Sequence, residues 1–297
     1  MRVPSLSLAC LLAIPGILAA ESRPAEIPHL RIGSVEVRTL TDGILPMKGA
    51  ELLKGIDPAD IHRMLGGKDT AATPVNAFLV RMHGKNILVD TGMGQAPGGG
   101  LIEQLKRAGV DPAQIDLVLI THFHFDHIGG LLKADGTRAF PKAILRVAKV
   151  EHDFWLGEPS VLPERLRSNL PGLKAALAPY QAANAYRSFA ADESLGRDIR
   201  AIPAGGHTGG HTIFAFGSKG HELWCIGDLI HFGAIQFERP AVGVVFDTDG
   251  PSAVRVRQTL FQRAAECQAV LAGAHLSQLV RVKVTADGKG FSTTPAR

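Results

Sequence analysis

The richest concentration of reactive side chains in this 297-residue sequence is His122-Phe123-His124-Phe125-Asp126-His127. Four groups able to ligate a metal fall within six positions. A solvated polar turn would account for any one of them, but not for the set, because each would need a partner if buried. Imidazole and carboxylate donors together suit a divalent cation. Cysteine does not contribute, since neither Cys225 nor Cys267 has the paired spacing of a zinc knuckle.

The elements that position these residues follow from the flanking pattern. The apolar run from Ile115 to Ile120 predicts a buried strand leading directly into the cluster. Two residues apart in extended chain, His122 and His124 project from one face. Gly129-Gly130 lets the chain turn tightly into a helix, which places Asp126 and His127 near a helix start. Three more candidates lie just past strand-like runs: His207 in Gly205-Gly206-His207-Thr208, Asp228 in Ile226-Gly227-Asp228, and His275 in Gly273-Ala274-His275. Loops at strand ends converge on one edge of a sandwich, where functional groups gather. His29, His62, His83, His152 and His221 have no such setting and are read as ordinary polar contacts.

Elsewhere, Leu30 to Leu40 with a turn at Thr41-Asp42-Gly43 reads as an opening hairpin. A second hairpin turns at His83-Gly84-Lys85, between Ala77-Val80 and Ile87-Val89. Residues 92–100 form a glycine-rich loop, and Leu101 to Ala108 a helix stopped by Gly109. After a strand at Ile144-Val147, residues 151–196 have mostly helical patterning broken by Pro159, Pro163, Pro171 and Pro179, as expected of a connector or lid. Strands at Ile199-Ile202, Thr212-Phe216 and Leu223-Ile226, a helix from about Ser252 to Cys267 and a strand at Ala269-Ala272 complete a second half. Two halves of strands followed by helix imply a layered α/β sandwich.

The HxHxDH run, followed in order by His207, Asp228 and His275, resembles the metallo-β-lactamase superfamily over nearly all of the chain beyond its first twenty residues. The resemblance implies an αββα sandwich. It implies two metals, expected to be zinc: His122, His124 and His207 would hold one, Asp126, His127 and His275 the other, with Asp228 bridging them. Asp90, in Val89-Asp90-Thr91-Gly92, would support the site without ligating, and His211, four residues after His207, would play a structural part. A metal pair of this kind supplies a shared hydroxide as nucleophile.

Within the superfamily, His152-Asp153-Phe154-Trp155-Leu156, Gly227-Asp228-Leu229-Ile230, Ala234-Ile235-Gln236-Phe237, Pro240, Asp247 and Gly288-Lys289-Gly290 resemble methyl parathion hydrolase and related lactonases. This suggests a substrate pocket containing Trp155, His231 and Phe246. Asp126 and His231 are the catalytic candidates, His231 as a donor to a carbonyl or leaving alkoxide, or else as pocket wall. The expected reaction is hydrolysis of a lactone or carboxylic ester, with organophosphate triesters as the alternative. β-Lactamase action and a non-catalytic metal-binding protein rank below these.

Composition bounds the remaining questions. With 45% hydrophobic and 20% charged residues, the chain is that of a folded protein. Its net charge of +4 is scattered without a basic block, which argues against a nucleic-acid partner. Arg2, the apolar stretch Leu6 to Leu18 and Ala19-Ala20 before Glu21 form a secretory signal pattern over residues 1–20, so residues 21–297 are expected to be a single exported domain, periplasmic or secreted. A retained anchor, a lipoprotein site at Cys10, a Cys225–Cys267 bridge and a homodimer stay open, whereas stable membrane insertion after signal cleavage is not expected.

Overall fold

Short apolar runs and period-two alternation in this chain condense into two facing sheets. The computed structural model describes Ile27, Ser160 and residues 29–96, 98–158, 162–218 and 220–296. The signal pattern at residues 1–20 and Pro159 lie outside the described residues.

The first sheet has seven strands in the spatial order Leu30–Ile32, Val35–Lys48, Thr70–Met82, Lys85–Val89, Leu117–Ile120, Ile144–Ala148 and Tyr186–Phe189. Its early pairs are antiparallel, and from Lys85–Val89 onward the pairing is parallel. The second has six strands, in the order Phe291–Pro295, Val280–Val284, Val270–Gly273, His221–Gly227, Thr212–Ser218 and Ile199–Pro203, with only Val270–Gly273 and His221–Gly227 parallel. Parallel strands are buried on both faces, which is why Leu117-Val118-Leu119-Ile120 reads as an unbroken apolar run.

Side chains of both sheets share an inner core, with Val37, Val80 and Leu119 from the first meeting Phe214, Leu223 and Val270 from the second. The outer face of the first sheet, through Leu79, Val118 and Leu145, packs on the helices Leu101–Arg107 and Leu170–Ala182 by Leu105, Leu173 and Leu177. That of the second packs on the helix Gly250–Cys267 through Leu260, Phe261 and Ala264. Fully burying one such side chain is worth about 1.5–3 kcal/mol. The result is the expected αββα order of layers. Among the described residues no helix is long and apolar enough to cross a membrane.

Three local expectations are corrected. Thr41-Asp42-Gly43 is no turn: Val35–Lys48 runs straight through it with a bulge between Thr41 and Gly43, and the chain reverses at Gly33-Ser34 instead. The bulge lets the Asp42 carboxylate accept the backbone N–H groups of Met93, Gly100 and Leu101, so a turn-like tripeptide serves to pin the glycine-rich loop. The stretch 151–196 is not helical throughout, nor broken at Pro179: Leu170–Ala182 keeps Pro179 inside the helix, and Tyr186–Phe189 adds an edge strand to the first sheet. Two strands after the last expected one, Val280–Val284 and Phe291–Pro295, extend the second sheet. Cys225 and Cys267 are both free.

Candidate metal centre

Strand ends build the site. Lys85–Val89 ends at Asp90, Leu117–Ile120 leads into Thr121 and His122, His221–Gly227 delivers Asp228, and Val270–Gly273 delivers His275. Each sheet contributes a parallel pair, so within each sheet the two carboxyl ends open on one edge, and the close approach of His127 to both Asp90 and Asp228 brings the two edges together. Asp126 and His127 come from the short helix Phe125–Ile128 and His207 from the loop before Thr212–Ser218.

The structure brings the seven predicted ligand candidates together as two groups of donor atoms: His122, His124, His207 and Asp228, and Asp126, His127, Asp228 and His275. Asp228 is common to both. Its Oδ2 lies 3.2 Å from His207 Nε2 and 3.6 Å from His122 Nε2, and its Oδ1 3.0 Å from His127 Nε2 and 3.2 Å from His275 Nε2. Asp126 Oδ2 stands 3.6 Å from His275 Nε2 and 3.7 Å from His127 Nε2.

Four of the imidazoles are fixed from behind so that Nε2 faces inward. His127 Nδ1 meets Asp90 at 2.8 Å, His207 Nδ1 meets Asp247 at 3.0 Å, His275 Nδ1 donates to Pro74 O at 2.9 Å, and His122 Nδ1 lies 3.1 Å from Thr121 Oγ1. Holding the far ring nitrogen in this way sets the tautomer of a ligating histidine. Asp90 also accepts the N–H and hydroxyl of Thr121, from a backbone at φ 60°, where Asp is tolerated better than most residues. His211 belongs to neither group: its Nε2 accepts the Asp228 N–H at 3.1 Å, which supports the bridging position from the backbone side. Gly227 permits that approach, because a Cβ there would sit 2.6 Å from His211 Nε2.

A cation fits this arrangement on its own evidence. His127 Nε2 and Asp228 Oδ1 are buried without a hydrogen bond, although they face each other at 3.0 Å, and orphaned buried polar atoms are costly unless something engages them. The His and Asp donor set is that of a divalent metal site.

Charge follows the same logic. Burial and the neighbouring imidazoles hold His122 and His124 well below the ordinary histidine range, in the neutral form a metal needs. Burial would lower His207 too, but the Asp228 and Asp247 carboxylates outweigh it and push it up to about 9. Burial would raise Asp228, yet the surrounding imidazoles, His127 and His275 foremost, hold it well below the usual carboxylate range. His207 is thus protonated at neutral pH in the metal-free protein. Because its folded value exceeds the ordinary 6.5, its stabilising contribution is complete below about 6.5 and disappears as pH rises through about 9. Loading a metal must expel that proton. Calorimetric zinc titration of metal-free protein at pH 7.5, in two buffers of different ionisation enthalpy, should show proton release, and identical heats in both would contradict it.

Above the donors opens a cavity of about 490 Å³, with Leu45, Met47, Met93, Leu166 and Phe246 among its apolar walls and His231 beside Asp228 at its base. His231 Nε2 lies 3.1 Å from Asp228 Oδ2, its ring stacks on His275, and its Nδ1 has no hydrogen-bond partner. Burial pushes it down to about 4, so it is neutral. Trp155 is placed differently from the sequence expectation. It is buried behind His124, edge-on at 5.8 Å between ring centroids, and does not line the cavity. The helix Lys149–Leu156 presents its indole N–H to Glu151 rather than to the cavity.

Residues 70–275 match the family model of the metallo-beta-lactamase superfamily. The chain belongs to this superfamily. Among solved structures, it is similar to the hydrolase AbOPH of the beta lactamase superfamily, at 31% identity and a TM-score of 0.84 over 93% of this chain and 99% of that one. It is also similar to AidC, a dizinc quorum-quenching lactonase solved with a product, N-hexanoyl-L-homoserine, at 27% identity and a TM-score of 0.81, again over 93% and 99%. A probable metallo-hydrolase of Mycobacterium bovis is 29% identical over 60% of this chain. The chain spans 29% to 65% of the length of the first curated relatives it matches.

Three supporting residues escaped the motif reading. Asp247 entered it only as part of a resemblance, yet it orients His207. Arg257, 1% exposed, lies in one buried stripe with Ala253, Leu260, Phe261 and Ala264, and a charge on an apolar helical face is itself a signal of a buried partner. Glu151 had no comparable signal beyond its i, i+4 spacing to Trp155.

Proposed function

We propose that the protein is a two-metal hydrolase, zinc-loaded, acting on a lactone or carboxylic ester. The observation that carries this reading is the pair of donor groups sharing Asp228 at the base of an apolar cavity. Two bound divalent ions would supply a water of pKa about 7 and an electrophile for the substrate oxygen. His122, His124 and His207 would hold one and Asp126, His127 and His275 the other, with Asp228 shared. The likeness to a dizinc lactonase supports lactones as the substrate class.

The chain's own residues supply orientation and exclusion. Leu45, Met47 and Phe246 keep water from the acyl or leaving group, which suits a neutral substrate. His231 serves as the donor to the leaving oxygen. A neutral imidazole has one N–H, and in the structure it lies against Asp228, so donation requires its release toward the cavity. His231→Leu should lower kcat on a lactone on the order of 10²-fold, the low end for losing one hydrogen-bond donor to a developing oxyanion, with metal content unchanged. Unaltered turnover with both metals in place would remove His231 from the reaction. Export of the mature chain is part of the same proposal and rests on residues 1–20.

Assay of the purified protein against homoserine lactones, aryl esters, a paraoxon-type triester and a chromogenic cephalosporin tests the substrate class. Turnover is expected on lactones and esters; preference for the triester would favour the organophosphate reading, and activity on the cephalosporin alone would sink both.

A further inference from the structure

Glu151 is a fully buried carboxylate outside both donor groups that accepts four hydrogen bonds. Its Oε1 takes Phe123 N at 2.9 Å and Trp155 Nε1 at 2.7 Å, and its Oε2 takes Thr208 Oγ1 at 2.7 Å and Gly210 N at 2.9 Å. Phe123 sits between His122 and His124, while Thr208 follows His207. One carboxylate therefore joins two loops far apart in sequence that carry three of the imidazoles of a single donor group. The joint leaves little slack: a Cβ on Gly210 would fall 2.1 Å from Glu151 N, and one on Gly209 would fall 2.6 Å from Phe154 Cδ2, so the loop lies backbone-close against the helix Lys149–Leu156. The same Trp155 whose N–H reaches Glu151 has its ring against His124. Residues Asp126, His127 and His275 receive none of these contacts; His127 leans on Asp90 and His275 on Pro74 instead.

We propose that Glu151 is a positioning residue that sets the distance between the His122–His124 loop and the His207 loop, and thereby controls metal affinity of that group alone. The proposal rests on the two-metal reading above for its expected stoichiometry. Trp155 becomes part of the brace, which accounts for its burial behind His124.

Glu151→Gln is the informative change because it preserves shape while reversing one edge. Four donors converge on the carboxylate, and an amide turned either way opposes its own N–H groups to at least one backbone N–H, Phe123 or Gly210. In full mature protein loaded with zinc, a chelator series should strip one ion from E151Q at concentrations that wild type withstands, a loss of about 10–100-fold in affinity. The second ion should leave at the wild-type concentration. Loading with cobalt supplies a local readout, since an ion held by His124 quenches Trp155; that quenching should weaken in E151Q and be missing in Trp155→Phe. Thr208→Val removes a single donor and should shift the same ion in the same direction by less, which keeps the test decisive where E151Q does not fold. Wild-type affinity for both ions in these variants, or equal weakening of both, would overturn the proposal. A wild-type protein binding one ion would contradict the two-metal reading instead, and Glu151 would still be judged by whether its variants weaken the ion that quenches Trp155.

Discussion

Asp228→Ala should empty both donor groups at once and reduce turnover on the order of 10³-fold or more, the upper end of what losing one electrostatic stabiliser costs. The reason is geometric. Among the described residues Asp228 is the only member common to both groups, with Nε2 of His122, His127, His207 and His275 all within 3.6 Å of its carboxylate. Its loss also removes the negative charge that offsets the raised His127, His207 and His275. These imidazoles then return toward neutrality, the form a metal needs, so metal loss in the variant reports the missing shared carboxylate and not protonated ligands. Metal analysis beside steady-state kinetics checks this. A variant that keeps both ions, or keeps more than a tenth of wild-type kcat, would show that Asp228 does not bridge.

The second large effect concerns stability. Arg257→Leu should destabilise the fold by about 3–5 kcal/mol, as expected when one partner of a buried charged network is removed. Arg257 donates to Leu229 O at 2.7 Å, Pro240 O at 3.0 Å and Val242 O at 2.7 Å, and its guanidinium stands 3.9 Å from Asp247. It fastens the segment that runs from Asp228 past His231 to Phe246, with Gln236 completing the job by accepting the His231 and Phe232 N–H groups. Leucine fills much of the volume but leaves the Leu229 and Pro240 carbonyls without a donor, takes one of two donors from Val242 O, which keeps Gln236, and strips the arginine charge from beside Asp247. Denaturant unfolding measures the loss, and a change below about 1 kcal/mol, no more than an average point substitution costs, would contradict it. Because Asp247 orients His207, the variant's remaining folded fraction should also bind metal more weakly.

How much of this was legible beforehand depended on the range of the cause. The strand Leu117–Ile120 and the candidates past it could be read because a buried parallel strand leaves an apolar run and the reactive residues follow it within a few positions. Thr41-Asp42-Gly43 misled because turn-forming residues also suit a bulge, and only the distant amides of Met93, Gly100 and Leu101 decide between the two. Trp155 misled for a related reason: its position on the helix fixes its neighbourhood but not which way the ring faces, and the Glu151 acceptor draws it behind His124. Strands such as Tyr186–Phe189 are short and gain their identity from the neighbour they pair with. Long-range partners of this kind, Asp247 for His207 and Pro74 for His275, have no local mark in the sequence.

The central claim is the shared two-metal centre, and the most direct measurement is the metal content of the purified protein after exhaustive dialysis, with activity followed in parallel. Two divalent ions per chain are predicted, zinc foremost, with hydrolysis lost on chelation and regained when zinc is returned. A fully active chain holding one ion or none would contradict it.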